Sequence, residues 1–155
     1  MRRRGPGWRY TYGPPMAVSP LPNVRDVVKY AVTEIAPQKL WLGISNYGYD
    51  WQLPFVQGRT RATAISNQYA VSLAIRNHVA IQFDEQSQAP FFRYLDQNGN
   101  THEVWFEDAR SIRAKFALIP EFGLRGAGYW NFMRPFPQNW RVVNALYNIL
   151  DFTGI

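Results

Sequence analysis

The feature that most constrains the fold is residues 39–51, KLWLGISNYGYDW. Its first half, Leu40-Trp41-Leu42-Gly43-Ile44, is apolar with no polar alternation. A short run of that kind reads as a strand buried on both faces, the pattern of a parallel sheet covered by helices. Its second half, Asn46 to Trp51, is aromatic with a single carboxylate, Asp50. Polar and aromatic residues at the C-terminal end of such a strand lie where α/β barrels place their ligands. The stretch is therefore expected to be a barrel strand that delivers a ligand-facing rim.

The neighbouring segments fit that frame. Val24, Val27, Val28, Ala31, Val32 and Ile35 recur at helical spacing, with Asn23 as the expected N-cap and Pro37 as the stop. Helix followed by buried strand is half of a βαβ unit, whose preceding strand is expected to be missing here. Residues 52–65, with Pro54 and Gly58, read as loop. Ser66 is positioned to cap a helix over 67–78 that turns Ala70, Leu73 and Ala74 inward. A short strand is expected over 80–83. Segments 91–95 and 101–106 flank Asn98-Gly99, a strong hairpin signal, and the pairing predicted across it sets Phe92 opposite Trp105 and Tyr94 opposite Glu103. Asp108 suits the N-cap of a further helix carrying Ile112, Phe116 and Ile119, which Pro120 and Gly123 should break. Residues 124–132 read as a second buried strand with an aromatic at its end, and 138–150 as a closing helix with Trp140, Val143, Leu146 and Tyr147 at helical spacing.

At 155 residues the chain suits one core but is too short for a complete eight-stranded α/β barrel, which takes about 250 residues. Aromatics at 16% exceed what a core alone calls for and suggest a stacking surface as well. The net charge of +6 is a property of one end: four of the 17 basic residues are Arg2, Arg3, Arg4 and Arg9, leaving 13 against 11 acidic residues elsewhere. Residues 1–9 are therefore expected to be a disordered basic tail, and no nucleic-acid partner is expected from the body of the chain. No window is long and apolar enough to cross a membrane, so no membrane partner is expected, and no apolar run follows the arginines as a signal peptide would need. With no cysteine there is no thiolate chemistry. His78 and His102 lack ligand partners at metal-binding spacing, no serine sits in a nucleophile elbow and no glycine cluster suits a phosphate, so no metal or other cofactor is expected.

Five segments together carry a resemblance: YGPPMAVSPLPNVR at 12–25, KLWLGISNYGYDW at 39–51, AIQFDEQSQAPFFRY at 80–94, HEVWFEDARSIRAKF at 102–116 and LRGAGYWNFMRPFPQNW at 124–140. In this order they resemble the C-terminal half of a family-18 glycoside hydrolase of the bacterial spore-germination type, which cuts spore-cortex peptidoglycan. The resemblance implies an α/β fold, the C-terminal part of a (β/α)8 TIM barrel. Residues 39–47 and 124–132 would be barrel strands seven and eight, 10–51 and 108–155 the partial barrel, and 52–107 a small α+β insertion walling the cleft. Strands one to six would be absent from this chain. It also implies substrate-assisted, retaining hydrolysis of β-1,4-linked N-acetylglucosamine glycans, such as spore-cortex peptidoglycan or chitin, in which the substrate's 2-acetamido oxygen attacks the anomeric carbon. The family's acid lies in an Asp-x-x-Asp-x-Asp-x-Glu motif, which does not occur here, and Arg4-Gly5-Pro6-Gly7 stands where the sixth-strand Met-x-Tyr motif is expected.

What the resemblance carries over residue by residue is the substrate floor. Trp130 matches the tryptophan lying under the sugar at the cleavage site. Tyr47, Tyr49, Asp50 and Trp51 match the seventh-strand rim, and Trp105, Glu107 and Asp108 the end of the insertion. Asp108 equally fits a helix cap, and Asp50 a loop amide or arginine partner. No catalytic residue is assigned in this chain. Two barrel strands without the other six leave unpaired backbone groups and apolar surface, so the isolated chain is expected to be marginal, aggregation-prone or dependent on a complementing N-terminal half. Three functions compete: the C-terminal portion of a glycosidase inactive by itself, a non-catalytic glycan-binding module using its aromatic rim, and a tail-driven polyanion binder. Location in spore or cell wall follows from the resemblance alone.

Overall fold

Hydrophobic periodicity sorts the chain into two sheets with separate cores. The protein is described here from a computed structural model covering residues 13–131 and 133–148; the N-terminal arginines and residues 149–155 lie outside the described residues.

Helix α1 (Leu21–Glu34) leads through a short 3-10 turn (Pro37–Lys39) into strand β1 (Trp41–Ser45). β1 pairs in parallel with β7 (Gly126–Trp130), Ser45 opposite Trp130 and Gly43 opposite Gly128. Leu42 and Ile44 are buried with Val28 of α1, Ile112 and Phe116 of α3 (Ala109–Phe116), Leu118 and Ile119 of α4 (Leu118–Phe122), and Phe136. Val142 and Val143 of α5 (Pro137–Leu146) pack against this cluster. One face of the two-stranded sheet is thus covered by helices.

The other sheet is antiparallel with five strands, in the order β3 (Ala62–Ile65), β2 (Gly48–Gln52), β6 (Thr101–Trp105), β5 (Ala89–Leu95), β4 (Gln82–Asp84). One of its faces packs on α2 (Asn67–Arg76), through Ile65, Phe92, Val104 and Phe106 against Ala70, Leu73 and Ala74. Ser66 caps α2 by accepting from the Tyr69 amide. Asp108 caps α3 in a reciprocal box with Ser111. A buried ion pair lies where the two sheets join. Lys115 of α3 donates to Glu107, just past β6, at 2.7 Å, and both are sealed from solvent at 1% and 0% side-chain exposure. Ser19 donates to the same carboxylate, and Asn67 accepts from the Glu107 amide.

Several local expectations are corrected. β1 is not buried on both faces: Leu42 and Ile44 are buried but Trp41 is 61% exposed and Gly43 is also open, because no described element covers that side of the β1–β7 pair. The cap of α1 is Pro20 rather than Asn23; Pro22 occupies the first turn, where its missing N–H costs nothing. The loop expected over 52–65 is in part strand, since Tyr49-Asp50-Trp51 alternates with period two and pairs with β6 on one side and β3 on the other. The hairpin register is one residue off the expected pairing. Phe91 faces Trp105 and Tyr94 faces His102, because the connection is a three-residue loop, 97–99, closed by Asp96 and Asn100, with Gly99 at φ 81°. Pro120 sits within α4, in its first turn, and Gly123 at φ 64° ends it.

Candidate functional site

The site is built where the two sheets meet, at the C-terminal ends of β1 and β7. Leu42 and Ile44 face the helices, so Trp41, Gly43 and Ser45 face the other way. The parallel register puts Gly126, Gly128 and Trp130 on that same side. Trp130, the last residue of β7, is 72% exposed. Its neighbour Tyr129 turns inward and donates its hydroxyl to Asn139 at 2.8 Å. The peptide between Trp130 and Asn131 is cis. A β-carbon on Gly43 or Gly128 would touch nothing within 4 Å, so the floor beside the Trp130 indole is flat and open. At the opposite end, the Trp41 indole lies across Gly126, whose added β-carbon would meet it at 2.9 Å.

From Ser45 the chain passes directly through Asn46 and Tyr47 into β2. Tyr47, Tyr49 and Trp51 form an edge-to-face series with ring centroids 5.4 and 5.5 Å apart, and Val18 packs on them. Trp105, paired with Tyr49, joins the same group. Its ring stacks on Phe91 at 4.7 Å, and its indole N–H donates to Glu103 at 2.7 Å. The other oxygen of that carboxylate accepts from Arg93 Nε, also at 2.8 Å from the Arg93 terminal nitrogen. Tyr47 and Trp105 are partly exposed, whereas Tyr49 and Trp51 (1% exposed) are buried.

Asp50 points to the opposite face of this sheet. It accepts from the Tyr94 hydroxyl at 2.8 Å, and its second oxygen lies 2.8 Å from His102 Nδ1. Burial, followed by the Asp50 hydrogen bond and charge, pushes the Tyr94 phenol up from its ordinary range. Glu107 is sealed against Lys115, and Asp108 caps α3.

The structure therefore brings Tyr47, Tyr49, Trp51 and Trp105 into one aromatic group. It sets Asp50 behind the sheet in a hydrogen-bonded cluster and leaves Trp130 exposed. Tyr49, Trp51 and Glu107 are buried within the described residues. Sequence reasoning passed over Glu103, whose carboxylate fixes Trp105; the visible signal was an acid two residues before that tryptophan on the same strand face. It also passed over Asn46, a lone amide between an apolar run and an aromatic one. Among the described residues no group of three or more His, Asp or Glu side chains could hold a metal ion, and no helix is long and apolar enough to cross a membrane.

Comparison with known proteins gives this geometry its setting. The chain is 51% identical over 146 residues to the cortical fragment-lytic enzyme of Bacillus subtilis strain 168, a match covering 94% of this chain and 34% of that protein. It is 35% identical over 115 residues to the di-N-acetylchitobiase of Rattus norvegicus, covering 63% of this chain and 31% of that protein. Among solved structures, the spore cortex-lytic enzyme SleL of Bacillus megaterium QM B1551 superposes with a TM-score of 0.84 at 56% identity, over 90% of this chain and 33% of that one. The chain spans about a third of the length of the relatives it matches, in keeping with part of a barrel. Residues 7–134 match the profile of glycosyl hydrolases family 18, and the chain belongs to that family.

Proposed function

We propose that this chain is the C-terminal portion of the catalytic domain of a glycosidase that cleaves β-1,4-linked N-acetylglucosamine glycans such as spore-cortex peptidoglycan or chitin. β1 and β7 stand as barrel strands seven and eight, and the antiparallel sheet is the insertion that walls the cleft. The observation that carries this reading is Trp130: a large indole left exposed at the C-terminal end of a parallel strand, in a chain of this family. A flat indole suits the apolar face of a pyranose and the methyl of its acetamido group. Tyr47 and Trp105 are the rim residues with surface to offer. Tyr49 and Trp51 hold them in place, and Asp50 braces β2 against β5 and β6.

Cleavage is substrate-assisted and retaining. The proton donor and the aspartate that orients the acetamido group lie in an Asp-x-x-Asp-x-Asp-x-Glu motif that this sequence does not contain, so they are supplied by the part of the barrel that the match leaves uncovered. Loss of a general acid lowers rate by a factor of about 10²–10⁴, so the isolated chain is expected to bind glycan without turnover.

The test is complementation. The chain is mixed with a polypeptide covering the first two-thirds of a Bacillus cortex-lytic relative, and release of reducing ends from an N-acetylglucosamine hexamer is followed. Activity only in the mixture, with Trp130→Ala cutting it at least about tenfold, is the expected result. A folded, associated mixture that binds the hexamer but never cuts it would favour the glycan-binding module. Hydrolysis by the chain alone would overturn the assignment of the acid to another part.

A further inference from the structure

Trp130 is too exposed for its own packing to hold it, so its place is set by its backbone and by the loop that follows. We propose that Asn46 is the residue that positions Trp130, an inference that rests on the reading of Trp130 as the sugar floor. The Asn46 amide N–H donates to the Trp130 carbonyl at 2.9 Å, extending the β1–β7 ladder one step past Ser45. Its side chain, 7% exposed, crosses to the loop beyond. There Nδ2 donates to the carbonyl of Asn131 at 3.4 Å and to that of Arg134 at 2.5 Å. One residue thus grips Trp130 and both ends of the 131–134 segment.

The choice of asparagine follows from the partners. Two carbonyl oxygens facing one buried point call for a group with two N–H bonds, and a primary amide has both on a single atom. The loop is tied a second time on its far side, where Arg134 donates to the carbonyl of Ile65 at the end of β3. The indole is therefore suspended between the barrel pair and the insertion sheet, with Asn46 at the point where one passes into the other. Asn46 touches no substrate in this arrangement; it fixes the plane on which a sugar ring would lie, and ordering that plane beforehand lowers the entropy lost on binding.

Asn46→Asp tests this with little change of shape. At neutral pH the carboxylate has no donor and faces two carbonyl oxygens. In acid the buried carboxyl is protonated, since burial favours its neutral form, and one donor returns. The measurement is the 15N heteronuclear NOE of the indole N–H groups in the whole chain. Trp130 should loosen in Asn46→Asp at neutral pH and tighten again in acid, while Trp51 and Trp105 hold their wild-type values. Asn46→Ala, which adds no charge, should loosen Trp130 at every pH. Affinity for an N-acetylglucosamine trimer should fall by about fivefold in Asn46→Asp, in line with lost hydrogen bonding, and recover in acid. An unmoved Trp130 NOE, or equal loosening of all three tryptophans, would overturn the proposal. So would wild-type trimer affinity in Asn46→Asp when Trp130→Ala has lost it. If Trp130→Ala itself keeps wild-type affinity, the sugar-floor reading fails, and the NOE still decides whether Asn46 holds the indole.

Discussion

Gly48 of the five-stranded sheet and Gly43 and Gly128 of the two-stranded sheet stand in opposite surroundings. In the five-stranded sheet, a β-carbon on Gly48 would lie 2.6 Å from the Phe106 β-carbon and from the Trp105 carbonyl. In the two-stranded sheet, a β-carbon on Gly43 or Gly128 would meet nothing. The same contrast holds for the large side chains. Phe92 of the five-stranded sheet is fully buried between Phe106, Tyr94 and α2, whereas Trp41 and Trp130 of the two-stranded sheet stand largely in the open. The five-stranded sheet carries a core on its α2 face. The two-stranded sheet is covered toward the helices and open on its other face, the face that the proposed barrel reading turns to the interior, where side chains stack in layers. One region buries the face it turns to its helix, and the other leaves a face open.

The comparison can be broken most forcefully at its largest side chains. Phe92→Ala should cost about 3–5 kcal/mol, the usual loss for a buried phenylalanine. Trp41→Ala, although it removes a larger side chain, should change stability by less than about 1 kcal/mol. Urea unfolding of the two variants measures both. Comparable losses would mean that the open face of the two-stranded sheet is packed in solution, by self-association or otherwise, and the contrast between the regions would fall.

Glycine substitutions sharpen the same contrast and split it by sign. Gly48→Ala overpacks a strand against its neighbour's backbone and should destabilise by about 1–3 kcal/mol. Gly128→Ala fills empty space and limits the unfolded chain, so it should stabilise the isolated protein by about 0.5–1 kcal/mol. If a complementing segment fills that space, the gain should shrink or reverse when the two are mixed. Thermal melts of the chain alone and of the mixture would read this out. A destabilised Gly128→Ala in the isolated chain would show that the floor beside Trp130 is already occupied.

This division also explains what was legible in the sequence. Local chemistry read well: Ser66 and Asp108 cap the helices they were expected to cap, and the apolar runs around Leu42 and Tyr129 are the paired strands. Trp130, at the end of its run, stands at a strand terminus. Failures came where distant segments decide. Burial is one such matter: Val18 lies against Tyr49 and Trp51, and Lys115, eight residues on, and Ser19, 88 residues back, close on Glu107. The hairpin slipped by one because Asn98-Gly99 signals a turn without stating how many residues it takes, and Asp96, with its own bonds to the loop amides, made it three. The open face of β1 was not legible at all, because an apolar run looks the same whether or not its second cover is present.

The smallest effect lies in that hairpin and belongs to the five-stranded sheet alone. Asp96 accepts from the backbone amides of Asn98 and Asn100 and from the Asn100 side chain, with His102 Nε2 at 3.5 Å. These contacts, the Asn100 side-chain bond foremost, hold the Asp96 carboxyl below its ordinary value. A carboxylate with a lowered folded pKa adds stability above its unfolded value, about 3.9. That contribution disappears as pH falls through the lower folded value, because protonation must then work against the turn's donors. Asp96→Asn keeps an acceptor for the backbone amides but cannot titrate, so the variant should lose stability less steeply than the wild type between pH 5 and pH 2, about the window in which a depressed aspartate protonates. The two should run parallel above that window. Hydrogen exchange at the β5–β6 amides should follow the same difference, and exchange at the β1–β7 amides should not. Parallel acid limbs in both regions would mean that the Asp96 bonds survive in the unfolded turn, and a shared difference would mean that the two sheets unfold as one unit.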